Sequence, residues 1–287
     1  TEILDISESE SIKPMLAHEF QKRGNYISDD DPVFFQPKLD GVRAIAECTS
    51  AGVVLLSRGG KPIPGVPYIV EELNQIMSIG EALDGELFRK DLTFEDIVSL
   101  VRGKPQDNDE KLEFWVFDKP SDKTHGYNTR FIHNKNIKDF GNYIRVIETL
   151  STNFSMAKLD KFHSVCVKRG FEGVIIRPND NTPYIQERTP KLLKYKKFQD
   201  AEFKIVGFHE GRGKLANHLA AFEMEISTTS GTKTFKGKMN GSTAELKRLW
   251  KTRDACIGMM ATVKFQERTK HGIPRFPVVK GIRKLGE

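Results

Sequence analysis

Short β-type runs closed by turn residues recur along this chain, and no other feature restricts its fold as strongly. Val42-Arg-Ala-Ile-Ala-Glu-Cys48 alternates, turns through Ser50-Ala51-Gly52 and returns as Val53-Val-Leu-Leu56, the pattern of a hairpin. Phe114-Trp-Val-Phe117, Gly173-Val-Ile-Ile176 and Leu192-Leu-Lys-Tyr-Lys196 are further strand candidates. Helices lie between them. Ile69, Val70, Leu73, Ile76 and Met77 follow helical spacing over 68–78. Thr93 and Asp96 form a capping arrangement for 93–102, which Gly103 stops, and Gly170 stops 155–169 in the same way. Strands and helices mix without strict alternation, so the expected class is α+β rather than a doubly wound sheet.

After Phe198 the texture changes. Residues 202–208, 220–226, 232–238, 260–266 and 276–282 read as strands, interrupted by one helix over 243–253. Ser242 and Glu245 stand as a capping box ahead of Leu246, Leu249 and Trp250. Five strands and one helix in under ~100 residues fit an OB-type β-barrel. The expected domains are therefore 1–198 and 199–287. Charge divides at the same place. Residues 199–287 carry 17 Lys+Arg and 9 Asp+Glu, hence +8, whereas the rest carries 28 against 30, hence −2. A basic final third favours a polyanion partner.

Other classes are disfavoured. No apolar run approaches the ~18 residues of a membrane helix. The acidic start Thr-Glu-Ile-Leu-Asp-Ile-Ser-Glu lacks the basic and apolar segments of a secretion signal. Cys48, Cys166 and Cys256 are far apart and odd in number, which fits buried thiols in a reducing cytoplasm better than a zinc site or a disulfide framework. His125, His163, His209 and His218 show no metal-ligand spacing with one another. A cytoplasmic protein with no membrane partner is expected.

The chemistry begins at Lys38-Leu39-Asp40-Gly41-Val42-Arg43. A lysine is a nucleophile only when neutral, so its ordinary pKa near ~10.4 must fall through desolvation or neighbouring cations. Gly41 allows a sharp turn beside it. Alone, such a segment is also compatible with a polar surface turn. It is followed in order by Ser57-Arg58-Gly59-Gly60-Lys61, Asp84-Gly85-Glu86-Leu87, Trp115-Val-Phe117-Asp118, Glu172-Gly-Val-Ile-Ile-Arg177 and Lys191-Leu-Leu-Lys-Tyr-Lys196. On these six boxes the chain resembles the covalent nucleotidyltransferases, a superfamily of DNA ligases, RNA ligases and mRNA capping enzymes. The resemblance implies a nucleotidyltransferase (adenylation) domain of antiparallel sheets with flanking helices, followed by an OB-fold β-barrel.

The resemblance also implies roles. Lys38 would carry AMP taken from ATP. Lys194 and Lys196, two apart in a strand and so on one face, would neutralise the α-phosphate and lower the Lys38 pKa. Glu172 belongs to the metal-supporting group, and Glu86, near the ribose and the nucleophile, is a second candidate ligand for Mg²⁺ or Mn²⁺. Phe117 matches the aromatic that stacks on adenine, and Ile175 the apolar residue on its opposite side. Gln36 stands where many relatives carry a Glu that reads the adenine amino group, and its amide oxygen keeps an acceptor there. Arg43 and Arg58 resemble arginines that grip the nick, Arg58 at the 5′-phosphate and Arg43 at the ribose or terminal nucleotide.

Ile273-Pro-Arg-Phe-Pro-Val-Val-Lys-Gly-Ile-Arg283 resembles the C-terminal strand of small viral and bacterial ATP-dependent DNA ligases. By that resemblance Arg275 or Arg283 orients the pyrophosphate of ATP, and both are candidates for DNA contact. The R-x-D-K ending of capping enzymes is missing. The modules that an NAD-dependent ligase would add find no room, so ATP is the expected nucleotide. Gly211-Arg-Gly-Lys-Leu-Ala-Asn-His218 is short where relatives insert a long clamp hairpin. The expected protein is a minimal, monomeric enzyme acting on nicked duplex DNA. A nucleic-acid-binding protein with a decayed catalytic domain is the non-enzymatic alternative.

Overall fold

The computed structural model describes residues 11–103, 111–130, 137, 141–228, 231–266, 268 and 272–283. The chain divides into two compact units, Thr1–Tyr195 and Lys196–Glu287. The strand Arg188–Tyr195 stops before Lys196, which therefore does not share the strand alternation expected of the Lys194/Lys196 pair.

The first unit holds two five-stranded sheets. One is built from β1 (Leu16–Glu19), β2 (Pro32–Lys38), β8 (Leu150–Asn153), β9 (Gly173–Pro178) and β10 (Arg188–Tyr195), in the order β1-β10-β9-β2-β8. The other is built from β3 (Val42–Thr49), β4 (Gly52–Ser57), β5 (Ala82–Phe88), β6 (Glu113–Asp118) and β7 (Ile144–Val146), in the order β4-β3-β5-β6-β7. The hairpin read from the sequence is β3–β4. Most pairings are antiparallel, as expected. Two are parallel, β1 with β10 and β6 with β7, each at a sheet edge.

Strand β2 shows how sequence becomes site. Residues Val33 to Pro37 are all buried, as befits a strand covered on both faces. The Lys38 carbonyl accepts from the Glu172 N–H at 2.8 Å, so the backbone groups of even-numbered β2 residues point toward β9. The nitrogen of Pro37 therefore points the other way. There β8 pairs only as far as Phe35, and the missing proline N–H breaks no ladder bond. Side chains alternate as well, so Gln36 and Lys38 share a face while Val33 and Phe35 join the core behind them.

Helices α1 (Phe20–Arg23), α2 (Pro67–Ile76), α3 (Phe94–Arg102) and α4 (Met156–Lys168) flank the sheets. The Thr93–Asp96 capping box forms as read from the sequence. Gly103 after it is extended, with φ −68°, so that stop uses no left-handed glycine. Gly170 does adopt φ +87°, a conformation that favours glycine, and reverses the chain from α4 into Glu172 and β9. Leu55, Leu87, Phe114 and Val116 from one sheet and Phe35, Val174, Ile176 and Leu193 from the other share a single buried core.

The second unit is a closed barrel of β11 (Gln199–Glu210), β12 (Leu219–Thr228), β13 (Gly231–Met239), β14 (Met260–Phe265) and β15 (Val278–Arg283), ordered β11-β12-β13-β15-β14. Phe203, Ile205, Phe222, Met224, Phe235, Val263 and Phe265 fill it. Helix α5 (Thr243–Lys251) starts on the expected Ser242–Glu245 capping box and packs Leu249 and Trp250 against that filling. It ends two residues before the expected Arg253, where a 3-10 turn over Arg253–Cys256 takes over. Cys48, Cys166 and Cys256 are free and buried. No helix of the described residues is long and apolar enough to cross a membrane.

Candidate active site

A cleft opens in the first unit, lined by Gln36, Lys38, Arg43, Glu86, Phe117, Ile175 and Arg177 among others. Three strands supply one wall in register. Lys194 of β10 faces Ile175 of β9, which faces Gln36 of β2. Directly opposed residues share a face, so these side chains form a row, and Lys38 stands two residues from its end.

The Lys38 Nζ donates to the Glu172 Oε2 and to the Leu39 carbonyl at 3.3 Å. Burial holds the Lys38 ammonium below its ordinary pKa; Glu86 and Asp40 oppose that fall, and Arg43 adds to it. Lys194 is also lowered by burial, against Glu19, with the charge on Lys38 contributing. The turn after Lys38 is tightly built. Glu86 Oε1 accepts from the Gly41 N–H at 2.7 Å. A Cβ on Gly41 would lie 2.3 Å from the Leu87 carbonyl oxygen, so only glycine fits. Burial raises the Glu86 pKa, partly offset by Lys38, the Gly41 N–H and Arg43.

Arg43 does not reach outward. Its Nε and Nη2 grip the two oxygens of Asp84, which is fully buried, and its Nη2 donates to the Met15 carbonyl at 3.1 Å. Tyr184 donates to Asp84 at 2.6 Å and accepts from the Met15 N–H at 2.8 Å. Burial alone would lower the Arg43 pKa, but Asp84 outweighs it and holds the guanidinium charged. The guanidinium lies 4.6 Å from the Phe117 ring centroid, so it borders the expected adenine position rather than open solvent.

Other expected residues lie elsewhere. Arg58 is exposed on the turn that follows β4. In the barrel, Arg283 pairs through its Nε with Glu202 at 2.7 Å, and Arg275 lies over Phe276 at 5.3 Å. Glu172, bonded to Lys38, immediately precedes β9, and Glu86, which lines the cleft, lies within β5. Among the described residues no three His, Cys, Asp or Glu side chains gather as a metal group.

Sequence reasoning missed the polar frame behind the cleft. Asp118 is fully buried and receives Arg130 Nε at 2.7 Å and Arg177 Nη1 at 2.7 Å. Gln36, Tyr127 and Thr149 connect to it. Asp84, Asp118 and Arg177 were visible inside the boxes, where a charged residue in an otherwise apolar strand signals a buried pair. Nothing near Arg130 or Tyr127 in sequence marks them.

Comparison with known proteins places this geometry. Residues 14–196 match the model of the ATP dependent DNA ligase domain, and residues 210–283 that of the DNA ligase OB-like domain. A DNA ligase of Haemophilus influenzae is 28% identical over 241 residues, spanning 83% of this chain and 82% of its own. A DNA ligase of African swine fever virus is 31% identical over 222 residues, 70% of this chain and 50% of the viral one. A solved structure from work on Lig E DNA ligases and DNA binding with a minimal scaffold superposes with a TM-score of 0.69 at 25% identity, covering 94% of this chain and 99% of that one.

Proposed function

The chain belongs to the ATP-dependent DNA ligase family, and on that premise we propose that Lys38 is the nucleophile through which it seals 3′-hydroxyl/5′-phosphate nicks in duplex DNA. The observation that carries this reading is a half-buried lysine, held below its ordinary pKa, that lines one cleft with Phe117 and Ile175.

The steps follow from the groups present. Neutral Lys38 Nζ attacks the α-phosphorus of ATP. A P–N bond forms, the P–O bond to the β-phosphate breaks, and pyrophosphate leaves. Glu172 is the carboxylate in hydrogen-bond contact to receive the proton Nζ gives up. Phe117 and Ile175 hold the adenine between them, and Lys194 and Lys196 balance charge that gathers on the α-phosphate. An oxygen of the DNA 5′-phosphate then attacks the same phosphorus and displaces Lys38. The 3′-hydroxyl finally attacks that activated 5′-phosphate, forming the phosphodiester and releasing AMP. Arg58 orients the nick, Arg43 meets the ribose or terminal nucleotide once its guanidinium leaves Asp84, and Arg275 or Arg283 orients pyrophosphate. Arg283 must first leave Glu202 to do so.

Glu172 and Glu86 are hard oxygen donors, which fit Mg²⁺ or Mn²⁺. Such a cation, when bound, neutralises phosphate charge. We assign the protein a monomeric, cytoplasmic role.

Incubation with ATP and Mg²⁺ is expected to raise the mass of the intact chain by one AMP, mapped to Lys38. Lys38→Ala takes up none while keeping its thermal melt, and it seals no nicked duplex. A labelled Lys38→Ala chain would show that another residue is the nucleophile.

A further inference from the structure

The side-chain amide of Gln36 has two different ends, and its neighbours decide which end faces the cleft. Gln36 is only 2% exposed and lines the cleft. Its Nε2 lies 2.7 Å from the Tyr127 hydroxyl and 3.0 Å from the Thr149 hydroxyl. Each hydroxyl has one proton to give. Tyr127 donates its proton to the Phe117 carbonyl at 3.0 Å, and Thr149 its own to the Ile147 carbonyl at 3.3 Å. Toward Gln36 both therefore offer lone pairs, which only an NH₂ can use. At the other end, Arg177 Nε is a donor 2.9 Å from Gln36 Oε1. Its plane is set by Nη1 on the buried Asp118 at 2.7 Å. A flipped amide would meet that N–H with its own N–H groups. Burial pushes the Tyr127 hydroxyl up to about 12, so it stays protonated.

We propose that Tyr127, Thr149 and Arg177 lock the Gln36 amide with both N–H groups used, leaving one oxygen lone pair as its only offer to the cleft, and so determine the preference for a 6-aminopurine nucleotide. The inference rests on the reading that the base of ATP enters beside Phe117 and Ile175. The free lone pair accepts from an exocyclic amino group. A 6-oxo purine presents an oxygen to that oxygen, and neither group has a proton to share. None of the three residues touches the reacting phosphate, so they act as positioning residues through Gln36.

The test is the second-order rate constant for nucleotide attachment at Lys38, measured by intact mass with ATP, GTP and purine riboside triphosphate. In the wild type, ATP is expected to exceed both others by at least about tenfold, the scale of one buried hydrogen bond made or lost. Tyr127→Phe/Thr149→Val, which removes both acceptors of the amide N–H groups and leaves Arg177 alone to hold its orientation, is expected to shrink the ATP:GTP ratio about tenfold, mainly through half-saturating concentration. Arg177→Lys, which keeps a cation near Asp118 but lacks the Nε donor, shrinks it too. Adding Gln36→Glu to the double variant restores the preference for ATP, because a carboxylate accepts in either orientation. A purely structural role lowers all three nucleotides together, and unchanged ratios would overturn the proposal while leaving Lys38 adenylation standing. If the double variant does not fold, equal rates for ATP and purine riboside triphosphate in the wild type overturn it alone. A wild type that takes no AMP at Lys38 removes both this inference and the reading beneath it.

Discussion

Lys38 is pulled in two directions, and that balance gives a pH signature. Burial lowers its pKa, while the negative charges of Glu86 and Asp40 raise it. The folded chain thus binds this proton less tightly than the unfolded one. The Lys38 contribution to stability therefore rises with pH across the window between its lowered value and the ordinary ~10.4. Glu86 runs the other way. Its pKa is raised, so its contribution falls as pH climbs from the ordinary ~4.3 through its folded value. Glu86→Gln keeps an oxygen for the Gly41 N–H but removes the charge that holds the Lys38 proton. The single-turnover rate of Lys38 adenylation, plotted against pH, is expected to move its rising limb to lower pH in this variant. An unmoved limb would mean that the Glu86 charge does not govern Lys38. Tyr184→Phe probes the neighbouring clamp. It deprives Asp84 and the Met15 N–H of a partner at once, and is expected to cost about 1–3 kcal/mol in urea unfolding. At this scale the sequence yielded the kinds of residue and little of their company. Lys38, Phe117 and Ile175 stand out in sequence because their boxes are local, and the fold brings them to one cleft. Asp118 with Arg130 was not, because a pair twelve positions apart is joined only by the fold.

Elements were more legible than residues, for a physical reason. Strand alternation and helix capping are local patterns, so the β3–β4 hairpin, both capping boxes and the barrel strands could be read directly. Pairing partners are not local. The parallel contacts of β1 with β10 and of β6 with β7 join segments far apart in sequence, and no turn announces them. Lys196 shows the same limit, because where a strand stops depends on what pairs with it. Two substitutions test how strongly these local elements act. Gly41→Ala forces a methyl to within 2.3 Å of the Leu87 carbonyl, so β3 and β5 must part beside Lys38. A loss of roughly 1–3 kcal/mol in stability is expected, with a large drop in adenylation. Ser242→Ala removes the cap of α5 and is expected to cost about 1 kcal/mol. It should leave Lys38 adenylation unchanged, because a loss of that size leaves the barrel folded and the residues that line the cleft lie in the other unit.

On the scale of the whole molecule, chemistry and charge are placed in different units. The first unit contains the cleft and is nearly neutral, while residues 199–287 carry the +8. A duplex is bound largely through phosphate contacts that release counterions, so affinity for a nick should fall steeply with salt through the basic barrel. Strand β13 is a place to measure this. Phe235 and Gly237 point into the barrel, so Lys236 and Lys238 point outward, and both are exposed. Each lost phosphate contact lowers the slope of log affinity against log salt by about 0.9. Lys236→Gln/Lys238→Gln is therefore expected to flatten that slope by up to roughly 1.8, with binding weakened similarly for any duplex sequence. Adenylation by free ATP needs no DNA and should keep its rate, which separates a loss of DNA binding from a loss of folding. A slope unchanged from the wild type would move the duplex to another face of the barrel. A matching loss of adenylation would instead mean that this strand serves the first chemical step, alongside the barrel arginine that orients pyrophosphate.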